Sequence, residues 1–148
     1  MTQSGCGFSS RFLLENSEVG SAPIPHSTVF SILGVEDEDM IAMNLQDLLE
    51  EAGYQVVGPV ATVRAALALL NLDLPDACVL DVNLRGELST PVAQWLKERG
   101  VPFLLSSAYR PDFLRDHVAF DEAINIGKLA SPDRLLTVLA STISPKPE

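Results

Sequence analysis

Short apolar runs alternate with segments of helical period along this chain, and that alternation limits the fold more than any other feature. Val29 to Val35, Gln55 to Val60, Asp76 to Val82, Pro102 to Ser106 and Ala123 to Ile126 each have the apolar density of a buried strand. After the first run, Ile41, Leu45, Leu48 and Leu49 recur at helical spacing, and Gly53 stands where a glycine closes a helix. Thr62 is placed to cap Val63 to Leu72, and Thr90-Pro91 opens a helix to Arg99, closed by Gly100. Pro111 to about Ala119 reads as a short helix, and Ser131-Pro132-Asp133 opens a last one to about Ser141. Strands alternating with helices in this way predict an α/β fold, a doubly wound five-stranded parallel sheet covered on both faces.

A chain of 148 residues that is 47% hydrophobic can bury one ordinary core. The expected division is a tail over 1–27, one domain over 28–143 and a short tail over 144–148. The first tail is rich in Ser, Gly and Pro, with one apolar knot at Phe12, Leu13 and Leu14. A net charge of −10 with no basic patch argues against nucleic acid as a partner. No stretch is long enough to span a membrane, and no basic and apolar leader opens the chain, so the cytoplasm is the expected compartment. Gln3-Ser4-Gly5-Cys6 lacks the apolar segment that a lipoprotein cleavage box requires. The two cysteines, Cys6 and Cys78, are far apart, and Cys78 lies in an apolar run, as a reduced buried thiol would.

In doubly wound sheets, ligands bind outside the carboxyl ends of the strands, beside the point where strand order reverses. Glu36 and Asp37 fall at the end of the first strand, Asp81 at the end of the third, Ser107 just past the fourth and Lys128 just past the fifth. Glu38 and Asp39 suit the N-terminal turn of the following helix, where the helix dipole favours acids. Asp81 is different, because it closes a run that otherwise reads as buried strand. Carboxylates converging at one sheet edge repel each other unless a cation joins them. Mg²⁺ fits that demand, since it takes oxygen ligands at about 2.0–2.1 Å and keeps several waters, so that few protein ligands suffice. Asp37 and Asp81 are placed to bind directly, with Glu36 acting through water. His26 and His117 have no ligand constellation around them and read as surface residues.

Glu36-Asp37, Cys78-Val79-Leu80-Asp81-Val82-Asn83-Leu84, Ser107-Ala108 after the fourth strand and Lys128 after the fifth form an ordered set that resembles the receiver domain of two-component response regulators. The resemblance covers residues 29 to about 143 and implies a flavodoxin-like, CheY-like (βα)5 fold. Gly53 to Ala61 is similar to the second strand of one receiver subgroup. The family implies that Asp81 is the phosphoacceptor, that Asp37, Asp81 and the Asn83 carbonyl hold Mg²⁺ with Glu36 in support, and that Lys128 and Ser107 meet the phosphoryl oxygens, Ala108 being the small partner of the hydroxyl. Ser106 is the rival of Ser107. The implied partners are a sensor histidine kinase or phosphotransfer protein and a downstream protein, with no membrane and no nucleic acid, and a homodimer as a further option. The implied role is a stand-alone signalling module and not an enzyme; a dehalogenase-type phosphatase would need a second Asp where Asn83 stands. The other reading is a pseudo-receiver that binds partners without phosphorylation.

Three departures from the family bear on output. Leu129-Ala130 follow Lys128 in place of proline and an aromatic, Asn125 occupies the position of the usual switch aromatic, and the fourth helix is short and carries Pro111. A cis bond before a non-proline residue costs roughly 2.5–4 kcal/mol, which predicts a trans bond between Lys128 and Leu129. With no ring at Asn125, any response to a phosphoryl group should pass through Tyr109 and Arg110, with the fifth strand responding less.

Overall fold

A computed structural model describes residues 29–108, 114, 117–120, 123–128 and 130–143. In chain order come β1 (Ser31–Val35), α1 (Asp39–Glu51), β2 (Gln55–Val60), α2 (Val63–Leu72), β3 (Ala77–Leu80), α3 (Thr90–Glu98), β4 (Phe103–Leu105), β5 (Ile124–Asn125) and α4 (Pro132–Ile143). The strands form one five-stranded sheet in the order β2-β1-β3-β4-β5, with every neighbouring pair parallel. This is the doubly wound sheet that the alternation of runs predicts. Several strands are shorter than their apolar runs, but the hydrogen bonding continues past the strand ends. Ser106 N–H donates to the Leu80 carbonyl and Ile126 N–H to the Leu105 carbonyl, both at 2.9 Å.

Successive residues of the central strands feed opposite layers. Ile32, Ala77 and Val79 pack with Leu49 of α1 and with Leu135 and Leu139 of α4. Leu33, Val35, Cys78 and Leu80 pack with Val63, Ala66 and Leu70 of α2 and with Val92, Ala93 and Leu96 of α3. Because helices cover both faces, the strands read as unbroken apolar runs and not as alternating ones. Burial pushes the Cys78 thiol up, so this residue is a small core hydrophobe and not a nucleophile. The helix starts follow from their caps: Thr62 Oγ1 accepts from Ala65 N–H at 3.0 Å, and Ser131 Oγ from Arg134 N–H at 3.2 Å.

Two local devices shape the carboxyl ends of the strands. The register of β1 against β2 shifts between Leu33 and Val35. There Gly58 adopts φ +84°, where a Cβ would lie 2.9 Å from Val60 N and 3.1 Å from the Gly34 oxygen, so only glycine fits. Beyond this bulge the Val60 carbonyl accepts from Glu36 N–H at 2.9 Å, which fixes the first acid of the cluster. The second device is an antiparallel ribbon of Asn83–Leu84 with Glu87–Leu88, turned by Arg85 at φ 57° and Gly86 at φ 91°. Two successive left-handed residues give the tight turn whose twist suits a two-stranded ribbon. The ribbon was not anticipated from the sequence.

The helix expected from Pro111 to about Ala119 lies mostly outside the described residues, which there include Leu114 and a 3₁₀ turn, Val118–Phe120. Both tails, Tyr109, Arg110 and Leu129 also lie outside them, and with Leu129 the geometry of the bond that follows Lys128. His117 is half-buried, partly open to solvent, with its ring 6.3 Å from that of Phe120.

Candidate functional site

Strand order reverses between β1 and β3, so the crevice at their carboxyl ends is the natural ligand site of this sheet. Glu36 and Asp37 leave β1 there. Asp81 leaves β3, its N–H donating to the Val35 carbonyl at 3.0 Å so that the ladder holds it. Glu36, Asp37 and Asp81 each offer a carboxylate oxygen within 4.8 Å of the others. Glu36 is only 4% exposed and Asp81 only 5%. Burying acids this close together is costly unless cations and donors compensate.

Lys128 supplies the first compensation. Carried on the loop after β5, its Nζ donates to Asp81 Oδ2 at 2.6 Å and to Glu36 Oε1 at 2.8 Å. Burial works to lower the Lys128 pKa, but the bonds and charges of Asp81 and Glu36 outweigh it and raise the value above that of an ordinary lysine. For Asp81 the balance falls the other way. Burial first, then the charge of Glu36, raises its carboxyl pKa to about 6 against the opposing pull of Lys128 and of the Asn83 N–H.

The ribbon supplies the rest. Arg85 Nη2 donates to the Asp37 carbonyl at 3.0 Å, while its Nε lies 3.5 Å from Asp37 Oδ2. Asn83 N–H approaches Asp81 Oδ1 at 3.4 Å, and Asn83 Oδ1 accepts from Gly86 N–H at 2.6 Å. Ser89 Oγ donates to the Asp81 carbonyl at 2.6 Å, so the residue at the N-cap of α3 is committed to the acid loop. The remaining oxygen of Glu36, Oε2, accepts from Glu38 N–H at 3.0 Å. Arg85 was missed by sequence reasoning; its signal was an Arg-Gly pair shortly after Asp81.

The structure thus brings Glu36, Asp37, Asp81 and Lys128 together, with Asn83 beside them. Glu36 meets Lys128 directly, a contact not foreseen from the sequence. Ser107 is buried in the loop after β4, Ala108 beside it is exposed, and Ser106 lines a groove between α1 and α4. Three converging carboxylates with no nitrogen or sulfur ligand make a donor set that fits a hard divalent cation.

A five-stranded doubly wound parallel sheet with acids at its switch point defines an α/β domain of the flavodoxin-like class. The sequence matches the response regulator receiver domain family over residues 32–139, and the chain belongs to that family. Among solved structures it is similar to SdrG from Pseudomonas melonis Fr1 in its BeF3-activated conformation, with 37% identity and a TM-score of 0.65 over 78% of this chain and 98% of that one. It is also similar to the signal receiver domain of a signal transduction histidine kinase from Syntrophus aciditrophicus, with 27% identity and a TM-score of 0.69 over 78% of this chain and 91% of that one. Transcriptional regulatory protein PdtaR of Mycobacterium tuberculosis (strain CDC 1551 / Oshkosh) is 30% identical over 79 residues, which are 53% of this chain and 38% of PdtaR. Transcriptional regulatory protein DesR of Bacillus subtilis (strain 168) is 29% identical over 101 residues, 67% of this chain and 48% of DesR. The chain therefore spans less than half the length of these curated relatives. Among the described residues no helix is long and apolar enough to cross a membrane.

Proposed function

We propose that residues 28–143 form a phosphoacceptor receiver of a two-component system, flanked by tails over 1–27 and 144–148. Asp81 accepts the phosphoryl group of a phosphohistidine on a sensor histidine kinase or phosphotransfer protein. The observation that carries this reading is a buried Asp81 at the switch point, in a cluster of three carboxylates and 2.6 Å from a lysine ammonium. An Asp81 carboxylate oxygen attacks phosphorus, the phosphorus–nitrogen bond breaks, and imidazole leaves as the acyl phosphate forms. Such a transfer needs alignment and charge neutralisation more than covalent help. Lys128 then shifts its ammonium from the carboxylates to a phosphoryl oxygen, and the Ser107 hydroxyl donates to another, with Ala108 leaving space beside it. Asp37, Asp81 and the Asn83 carbonyl would hold Mg²⁺, with Glu36 in support, and the ion would neutralise the charge of the transferring oxygens.

The relative SdrG, solved in a BeF3-activated conformation, supports a site of this kind. Output passes through protein contacts in the cytoplasm, to a downstream protein or within a homodimer. The test is incubation with acetyl phosphate and Mg²⁺, followed by intact mass before and after base. Wild type should gain a base-labile, acid-stable phosphoryl group, and a folded Asp81→Asn variant none. Equal labelling of the two would sink the assignment, and an unlabelled wild type would favour a pseudo-receiver.

A further inference from the structure

Asn125 replaces the aromatic that many receivers carry at this position, and the structure shows what it does instead. It is the last residue of β5, paired with Leu105 of β4. Its Oδ1 accepts from Ser107 N–H at 3.1 Å and from Gly127 N–H at 3.0 Å, and its Nδ2 donates to the Ser107 carbonyl at 3.3 Å. Two backbone N–H groups can meet only an acceptor, so the orientation of the amide is set by its partners.

The two sides of this clasp do different things. A primary amide has the donor and acceptor of a peptide group, so Ser107, beyond the end of β4, is bonded through N–H and carbonyl as if β5 offered it one more strand residue. The bond to Gly127 N–H, two residues on, closes an Asx turn that redirects the chain. The next residue is Lys128, whose Nζ reaches Asp81 and Glu36. One side-chain oxygen therefore ties the loop bearing the hydroxyl to the loop bearing the ammonium. No aromatic ring could accept either N–H in its plane.

We infer that Asn125 is a positioning residue that sets Ser107 and Lys128 together, so that neither phosphoryl-binding group moves without the other. The inference rests on the phosphoacceptor reading of the site for its chemistry but not for its geometry. The experiment compares the full chain with Asn125→Ala and Asn125→Asp. It follows amide exchange at Ser107 and Gly127 by NMR, then titrates beryllofluoride with Mg²⁺ present. Asn125→Ala should lose protection at both amides together and bind beryllofluoride on the order of tenfold more weakly. Asn125→Asp keeps an oxygen for both N–H groups and, although it loses the Nδ2 donor to the Ser107 carbonyl, should keep both amides better protected than Asn125→Ala does; if Asn125→Ala does not fold, this variant carries the amide test. Loss at one amide alone, loss at both in Asn125→Asp, or wild-type beryllofluoride affinity in a folded Asn125→Ala would overturn the inference. A wild type that binds no beryllofluoride would sink the acceptor reading, and the paired amides would still decide the clasp.

Discussion

The carboxyl ends of β1 and β3 and those of β4 and β5 are built by different means. On the first side, strands of five and four residues fill both apolar layers, and backbone bonds carry the ladder one residue past each end, to Glu36 and to Asp81. On the second side the strands have three and two residues among the described residues, the backbone ladder runs on only to Ser106 and Ile126, and the next residue after Ser106, Ser107, has its backbone bonded by the side-chain amide of Asn125. Acids packed this closely repel each other and need a rigid frame, which backbone ladders inside a filled core provide. Under the proposed phosphoacceptor function, loops that would reach a phosphoryl oxygen are better held by a few side-chain bonds, each worth only about 0.5–1.5 kcal/mol net and exchangeable for another. The contrast assigns fixed charge to one side and adjustable contact to the other.

Lys128 crosses between the two sides, so removing it is the strongest challenge to the contrast. Taking one partner from a buried pair leaves an uncompensated charge, and with this ammonium partly reached by water we expect Lys128→Met to lose about 2–3 kcal/mol in urea unfolding at neutral pH with EDTA. A loss of a few tenths would mean that the acids are held without help from the β5 side.

The next effect isolates Asp81. Its native pKa is raised from 3.8 to about 6, so the folded protein holds this proton more tightly than the unfolded chain does. The associated stability is fully present below the unfolded value and is lost as pH rises through about 6. Each tenfold gain in proton affinity on folding is worth about 1.4 kcal/mol, so in EDTA Asp81→Asn should match wild type near pH 4 and exceed it by roughly 2 kcal/mol near neutrality. An Asn variant less stable than wild type at neutral pH would show that the Lys128 bond, and not burial, dominates.

The smallest effect sharpens the picture of the acid side. Arg85 Nε lies 3.5 Å from the Asp37 carboxylate, a charge that a metal ion would compete with, yet the Arg85 side chain is 72% exposed and the pair is correspondingly weak. Mg²⁺ should raise the melting temperature of wild type according to RT ln(1 + [Mg²⁺]/Kd). Asp37→Ala should abolish most of that rise, and Arg85→Ala should shift the midpoint to about two- to fivefold lower Mg²⁺, as befits an exposed pair. A weaker Mg²⁺ response in Arg85→Ala would mean that the ribbon holds Asp37 for the metal and does not compete with it.

What could be read from the sequence follows the same divide. β1 and β3 announce themselves because two-sided burial leaves continuous apolar runs, and an acid closing such a run, as Asp81 does, has no apolar reason to be there. Thr62 and Ser131 announce helix starts because capping is a local interaction. The contacts of Asn125 and Arg85 were hidden because they are settled by partners 18 and 48 residues away. A lone Asn at a strand end reads as an absent aromatic until the loop beside it is in view. The ribbon was hidden because Arg85 is not a residue type that signals a left-handed turn, and only Gly86 marked it.

β2 and β5 are the two margins of the sheet, where a strand from another molecule would add if the hydrogen-bonding groups were regular and long enough. β2 has Pro59, which has no N–H to offer, beside the bulge at Gly58. β5 is two residues long among the described residues, and its last side chain is turned inward to Ser107 and Gly127. Among the described residues neither margin offers a long, regular edge, so a contact between copies of this chain would fall to helix faces and loops and would not seed a continuous intermolecular sheet.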